Sequence, residues 1–213
     1  MPRANAPFPN LDEASLRTLA PRGVARNVRK NVVVVNEGDE TDSLYVLISG
    51  RVKVFCTGDD GREVVLQTME SGDYFGEVVL DGGPRSASVM TLEMCRLFVI
   101  SHGDVEGLLA ANPLFGRNLI AKLTGKVRSL TSKVRDLALK DVYGRFARFL
   151  EENAVERDGE RTVPERLTQA DIAARIGGSR EMVSRIVRDL TAGGYIAIEA
   201  KHIRILKKLP PHW

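Results

Sequence analysis

The chain has 213 residues, 43% hydrophobic and 28% charged, with a formal net charge of +3. That length fits one large or two smaller domains with room for a packed core, and no apolar run approaches the ~20 residues that span a bilayer. The two cysteines, Cys56 and Cys95, stand far apart, so they form neither a disulfide framework nor metal-ligand spacing. The N-terminus "MPRANAPFPNL" lacks the apolar stretch of a secretion signal, and a cytoplasmic location is expected. The charge is unevenly placed. From Glu165 onward there are nine Lys and Arg against five Asp and Glu, while the remaining residues carry 22 against 23. A basic C-terminal part suits a polyanionic partner.

Taken in chain order, the first elements read as strands. A helix is predicted at "LDEASLRTLA" (11–20), ahead of the β-branched run "NVVVVNEGDE". "SLYVLISGRVKVF" alternates and breaks at Ser49-Gly50, "CTGDDGREVVLQTM" has a hairpin pattern, and "ASVMTLEMCRLFVI" reads as one long strand region. Short strands with frequent turns predict a small β-barrel or roll. In "SHGDVEGLLAAN", Ser101 and Asp104 form a capping box for a helix.

A long helix follows. Asn112-Pro113 reads as an N-cap with proline at the first helical position. Ile120, Leu123, Val127, Leu130, Val134 and Leu137 then fall at spacings of 3 and 4. This is the a/d stripe of a two-stranded coiled coil, so a homodimer seam is expected. "DVYGRFARFLEENA" continues as a second helix beyond a kink near Asp141, and the polar "VERDGERTVPER" reads as an exposed loop.

The C-terminal stretch "LTQADIAARIGGSREMVSRIVRDLTAGGYIAI" is the most specific. Thr168 and Asp171 cap a short helix, Gly177-Gly178 makes a tight turn, and Ser179 caps a second helix with Val183, Ile186, Val187 and Leu190 inward. Two short helices joined this way form a helix-turn-helix. The outer face of the second carries Arg180, Glu181, Ser184, Arg185 and Arg188. Arginine can donate twice to guanine and glutamate can accept from cytosine in the major groove, while Thr168 and Ser179 suit phosphates. "GGYIAIEAKHIRIL" reads as a β-hairpin wing, placing Lys201 or His202 near the DNA backbone.

Upstream, "FGEVVLDGGPRSASV" (75–89) places Gly76, Glu77, Arg85, Ser86 and Ala87 within one short segment. A glycine-containing turn or helix start exposes N–H groups to an anion, and arginine grips phosphate through a bidentate fork. Ser86 adds a hydroxyl donor. Glu77 repels phosphate, so it suits a sugar hydroxyl and can also orient Arg85. A sugar phosphate with a free hydroxyl satisfies the set.

In this order, β-roll, "FGE…PRSAS" cassette, long helix and "SREMVSR" helix, the chain resembles the CRP/FNR family of bacterial transcription regulators, and most closely its catabolite activator branch. The similarity runs from about Leu11 to Leu206. It implies an α+β fold: a cyclic-nucleotide-binding, jelly-roll-like β-roll (1–111), a dimerisation helix (112–140) and a winged helix-turn-helix (141–213). It further implies cyclic AMP as effector, Glu77 on the ribose, Arg85 and Ser86 on the cyclic phosphate, and double-stranded DNA with TGTGA-like half-sites read by Arg180, Glu181 and Arg185. The loop 156–164 would by resemblance touch RNA polymerase. Two departures stand out. The cassette is about one residue short between acid and arginine. The hydroxyl pair that recognises adenine in the activator reads Leu130 and Thr131 here, which leaves the choice of base open among cyclic AMP, cyclic GMP and other cyclic nucleotides. Two rivals remain: DNA binding with a vestigial or different effector site, and a nucleotide-binding module acting on a protein partner. No nucleophile–base pair, metal cluster or Walker loop marks an enzyme. His102 and His202 are poor haem ligands, and two cysteines are too few for an iron–sulfur cluster.

Overall fold

A computed structural model of the chain describes residues 16–18, 20–40, 42–157, 159–199 and 202–210. Of the helix expected at 11–20, residues 11–15 and 19 lie outside that set, and Leu16–Thr18 are helical. Among the described residues the chain falls into two compact units. One runs to Cys56 and resumes over Leu66–Ser129; the other holds Thr57–Val65 and everything from Leu130 on.

The first unit is built on eight strands, of which the end of β4 and the start of β5 group with the second: β1 (Val24–Val28), β2 (Val33–Val35), β3 (Ser43–Ser49), β4 (Arg51–Thr57), β5 (Glu63–Glu70), β6 (Tyr74–Phe75), β7 (Ser88–Thr91) and β8 (Cys95–Ser101). They form two four-stranded sheets, ordered β1-β8-β3-β6 and β2-β7-β4-β5. Alternation of apolar residues drives this, since every second residue of a strand faces one side. Gly50, at φ +94, makes the turn from β3 to β4; a side chain there would meet the Met94 carbonyl at 2.6 Å. The segment expected as one long strand is two, β7 and β8. They belong to different sheets, and Leu92–Met94 carry the chain between them.

Two apolar clusters fill the roll. Leu47, Val52, Met69, Phe75 and Leu97 form one. Leu44, Tyr74, Phe98, Val105, Phe115 and Leu119 form the other, which draws in α1 (His102–Ala111) and the start of α2 (Pro113–Leu139). Ser101 caps α1 by accepting from the Asp104 amide, and Asn112 accepts from the Phe115 amide at the start of α2.

The second unit holds α3 (Val142–Asn153), β9 (Val155–Arg157), β10 (Glu160–Val163), α4 (Gln169–Ile176), α5 (Arg180–Ala192), β11 (Ile196–Glu199) and β12 (His202–Ile205). Its sheet runs β11-β12-β10-β9, so the segment expected as an exposed loop at 156–164 is instead a hairpin that widens the wing. Gly159, at φ +78, makes its turn. Phe146, Leu150, Ile172, Val183, Ile186 and Ile196 meet in one core.

Candidate functional site

The cassette at 75–89 is a short 3-10 turn, Glu77–Leu80, entered through Gly76 and followed by a tight loop to Arg85. Gly76 adopts φ +83, a conformation costly for any residue with a side chain. A Cβ there would lie 2.6 Å from Arg85 Nη1 and 2.9 Å from the Ser43 carbonyl. The backbone gives way so that the arginine can pass. Arg85 is only 4% exposed. Its Nη2 donates to the Ser43 carbonyl at 2.9 Å and its Nη1 to the Gly76 carbonyl at 3.2 Å. Asp42 lies 3.6 Å from Nη2, and the guanidinium sits over the Tyr45 ring. A buried cation needs such partners, because removal from water is costly. Ser86 is exposed, and Ala87 is buried beside it.

Glu77 does not orient Arg85, as its spacing suggested. It accepts from Lys126 Nζ of α2 at 2.7 Å, with both side chains about one-fifth exposed or less. One α-helical turn earlier, Lys122 donates to Asp73 at 2.6 Å and lies 4.3 Å from the Tyr74 ring centroid. Burial pulls the Lys122 ammonium below the usual lysine range despite Asp73, and pushes the Tyr74 phenol well above its own. The Tyr74 hydroxyl donates to the Leu119 carbonyl. These contacts fasten the first half of α2 to the roll. Lys126 is a polar site residue that sequence reasoning missed. Its only local signal is that Lys122 and Lys126 stand four apart on the helix face that also carries Leu119 and Leu123.

The stripe on α2 divides accordingly. Ile120, Val127 and Val134 are 61–65% exposed, and Leu130 and Leu137 about half exposed. Leu123, expected in the same seam, is partly buried against the roll core instead. It follows Phe115 and Leu119 at steps of four, so it turns toward their face. Leu130 and Thr131 are both exposed.

In the second unit the expected helix-turn-helix is present. Thr168 and Asp171 make a full capping box on α4, the hydroxyl accepting from the Asp171 amide and the carboxylate from the Thr168 amide. Gly177 ends α4 at φ +63, as helix C-termini often require. Ser179 caps α5 by accepting from the Met182 amide. Val183, Ile186, Val187 and Leu190 are buried; Arg180, Glu181, Arg185 and Arg188 are exposed, with Ser184 intermediate. Arg180 and Arg185 stand in the first turns of α5, Arg185 donating to the Met182 sulfur at 3.6 Å, and Arg188 pairs with Asp189 at 3.4 Å further along. In β12, His202 Nε2 accepts from Arg166 Nε at 3.3 Å. Lys201 lies outside the described residues.

Arg145 is a second residue that sequence reasoning passed over. Its guanidinium donates to three carbonyls, those of Lys140, Ile176 and Gly177, at 2.7–3.1 Å. It therefore holds the α4–α5 turn from behind. Among the described residues, no cluster of His, Cys, Asp and Glu could hold a metal, and no helix is long and apolar enough to cross a membrane.

Two family models match the chain: a cyclic nucleotide-binding domain over residues 25–112 and a Crp-like helix-turn-helix domain over 144–208. The chain is 34% identical over 177 residues to the CRP-like cAMP-activated global transcriptional regulator of Mycobacterium tuberculosis, covering 81% of this chain and 79% of that one. It is 32% identical to the cAMP-activated global transcriptional regulator Vfr of Pseudomonas aeruginosa, covering 79% and 82%. Among solved structures, the c-di-GMP responsive global regulator CLP of Xanthomonas campestris superposes with a TM-score of 0.81 at 26% identity, covering 92% of this chain and all of that one. A nucleotide-binding roll, a capped helix-turn-helix and this degree of likeness at both ends of the chain lead to one conclusion: it belongs to the CRP/FNR family, and is a DNA-binding transcription regulator rather than an enzyme.

Proposed function

We propose that the chain acts as a cytoplasmic homodimer that binds a cyclic nucleotide and reads palindromic, TGTGA-like operators. The first 111 residues hold the effector, the helix at 112–140 pairs the protomers, and 141–213 reads DNA. The observation that carries this reading is the apolar stripe on α2, exposed in a single protomer and placed in the chain between cassette and reader. Exposed apolar stripes of this period mark protein interfaces.

In the cassette, Arg85 and Ser86 are proposed to meet the cyclic phosphate. The amides following Gly76 and the backbone at Ala87 are proposed to join them. Glu77 accepts from a ribose hydroxyl while Lys126 holds it in position, which fits the pairing seen between them. Thr131 and Leu130 are assigned to the base. Leu130 cannot donate a hydrogen bond, so cyclic AMP is one candidate among cyclic nucleotides rather than the only one. The reader uses Arg180, Glu181 and Arg185 on base edges, with Ser184 and Arg188 beside them. Thr168, Ser179, Lys201 and His202 take phosphates. RNA polymerase is the expected protein partner of the hairpin at 156–164.

The test is a fluorescence titration of a labelled palindrome with and without cyclic AMP, cyclic GMP or cyclic di-GMP. One of these is expected to raise operator affinity about 5- to 150-fold, the usual range of coupling between sites. Equal affinity in every arm rules out the effector-coupled reading and leaves constitutive DNA binding. The same assay checks Arg185. Arg185→Ala is expected to cost roughly 1–3 kcal/mol per half-site on the palindrome and little on random DNA. Equal losses on both would make it a phosphate contact.

A further inference from the structure

The second half of the seam, Leu130–Leu139, belongs to the same compact unit as the DNA reader. Between α2 and α3 lie only Lys140 and Asp141. A two-residue corner leaves four soft dihedral angles and is free to swing unless something crosses it. Here a cluster of side chains does. Arg148 of α3 reaches back over the corner to α2. Its Nη1 donates to Asp136 at 2.7 Å, and its Nη2 to the Ser132 hydroxyl at 3.3 Å. Glu152 holds the remaining Nε at 2.6 Å, so the fork has one orientation. Lys140 adds a second cation 3.5 Å from Asp136. Leu137, a seam residue, lies against Gly177, where an added Cβ would come 2.9 Å from its Cδ2.

We propose that Arg148 is a positioning residue that fixes the half-site spacing the protein accepts. The inference rests on the homodimer reading above. In a dimer, the seam sets where each Leu130–Leu139 segment stands. With the corner locked, it also sets where each α5 stands. One inserted base pair moves a half-site by about 3.4 Å along the axis and about 35° around it, since a turn of ~34–36 Å holds 10–10.5 base pairs. A locked corner cannot follow both changes. A freed corner can follow part of them. Arg148 is thus read out through operator geometry and not through any base that it touches.

The experiment measures full-length wild type, Arg148→Ala, Asp136→Asn and Arg148→Lys on palindromes of TGTGA-like half-sites, with the spacer the wild type binds most tightly and with one or two base pairs added to it. Each chain is also measured on a duplex carrying a single half-site. For wild type, one insertion is expected to cost on the order of 100-fold, because about half of the specific binding free energy is at stake. For Arg148→Ala and Asp136→Asn the penalty should shrink to about tenfold or less, with single half-site affinity within about twofold of wild type. Arg148→Lys keeps the charge on Asp136 but loses the fork, and should fall between. Unchanged spacing profiles in the variants overturn the proposal, as do equal losses on single half-sites and palindromes, which mark a merely structural role. Sedimentation separates the two readings. A monomeric wild type overturns both the dimer and the proposal, whereas a dimer with no spacing preference overturns the proposal alone.

Discussion

Gly76→Ala is expected to weaken nucleotide binding and to destabilise the roll. The added methyl meets two objections at once. The backbone stands at φ +83, which costs a residue with a side chain about 1–3 kcal/mol. The methyl also arrives 2.6 Å from Arg85 Nη1, so the guanidinium must leave its place between the Gly76 and Ser43 carbonyls. Losing a charge-assisted contact of this kind costs about 1.5–3 kcal/mol. Stability should therefore fall by roughly 2.5–6 kcal/mol, and nucleotide affinity by about 10- to 100-fold as the fork is displaced. Gly82→Ala is the control. Gly82 also has a positive φ, +70, but nothing lies within 4 Å of its would-be Cβ. Thermal melting and nucleotide calorimetry of the two variants separate backbone strain from displacement of Arg85. If both lose stability alike and both keep nucleotide affinity, the contact between Gly76 and Arg85 has no part in binding.

Phe146→Ala is expected to unfold the reader while sparing the cassette. Phe146 is completely buried, at the centre of the cluster formed with Leu150, Ile172, Val183 and Ile186. Removing a core phenylalanine costs about 3–5 kcal/mol in transfer and cavity terms. A domain has only about 5–15 kcal/mol to lose, and each kcal/mol lowers the melting temperature of a small domain by about 4–8 °C. Calorimetry should show a transition lowered by roughly 12 °C or more, with operator binding lost at 37 °C and nucleotide affinity retained. Nucleotide affinity that fell in parallel would mean that the two units do not fold separately.

The helix caps were legible in the sequence because their chemistry is local. Ser101, Asn112, Thr168 with Asp171, and Ser179 each cap within three residues, though of the box expected at Ser101 and Asp104 only the Ser101 half forms, the Asp104 carboxylate accepting from the Ser101 hydroxyl. The hairpin at 156–164 was not legible. β9 is exposed throughout and β10 in part, so no alternation separates a strand there from a polar loop. Leu123 misled for a different reason. A period of 3.5 and one of 3.6 differ too little over three heptads to show that one member of a stripe turns inward. Lys126 and Arg145 act across 49 and 31 residues of chain, where spacing carries no signal. Their partners became visible only once the roll and the reader had formed. The cassette lay between these cases. Its residue types point to the anion site proposed above, but the spacing between Glu77 and Arg85 did not say that a lysine from α2 would claim the acid.

The inward lysines bear on the proposed pairing of α2. The helix carries six cations, Arg117, Lys122, Lys126, Arg128, Lys133 and Arg135, against the single acid Asp136. Two bare copies laid side by side would repel along their whole length. Asp73 and Glu77 of the roll neutralise two of those charges, and Lys133 turns to the Val65 carbonyl. The acids that offset the charge of this helix thus come from another part of the chain. In the proposed homodimer, association would therefore depend on prior folding of the roll, because Asp73 and Glu77 reach the helix only in the folded unit.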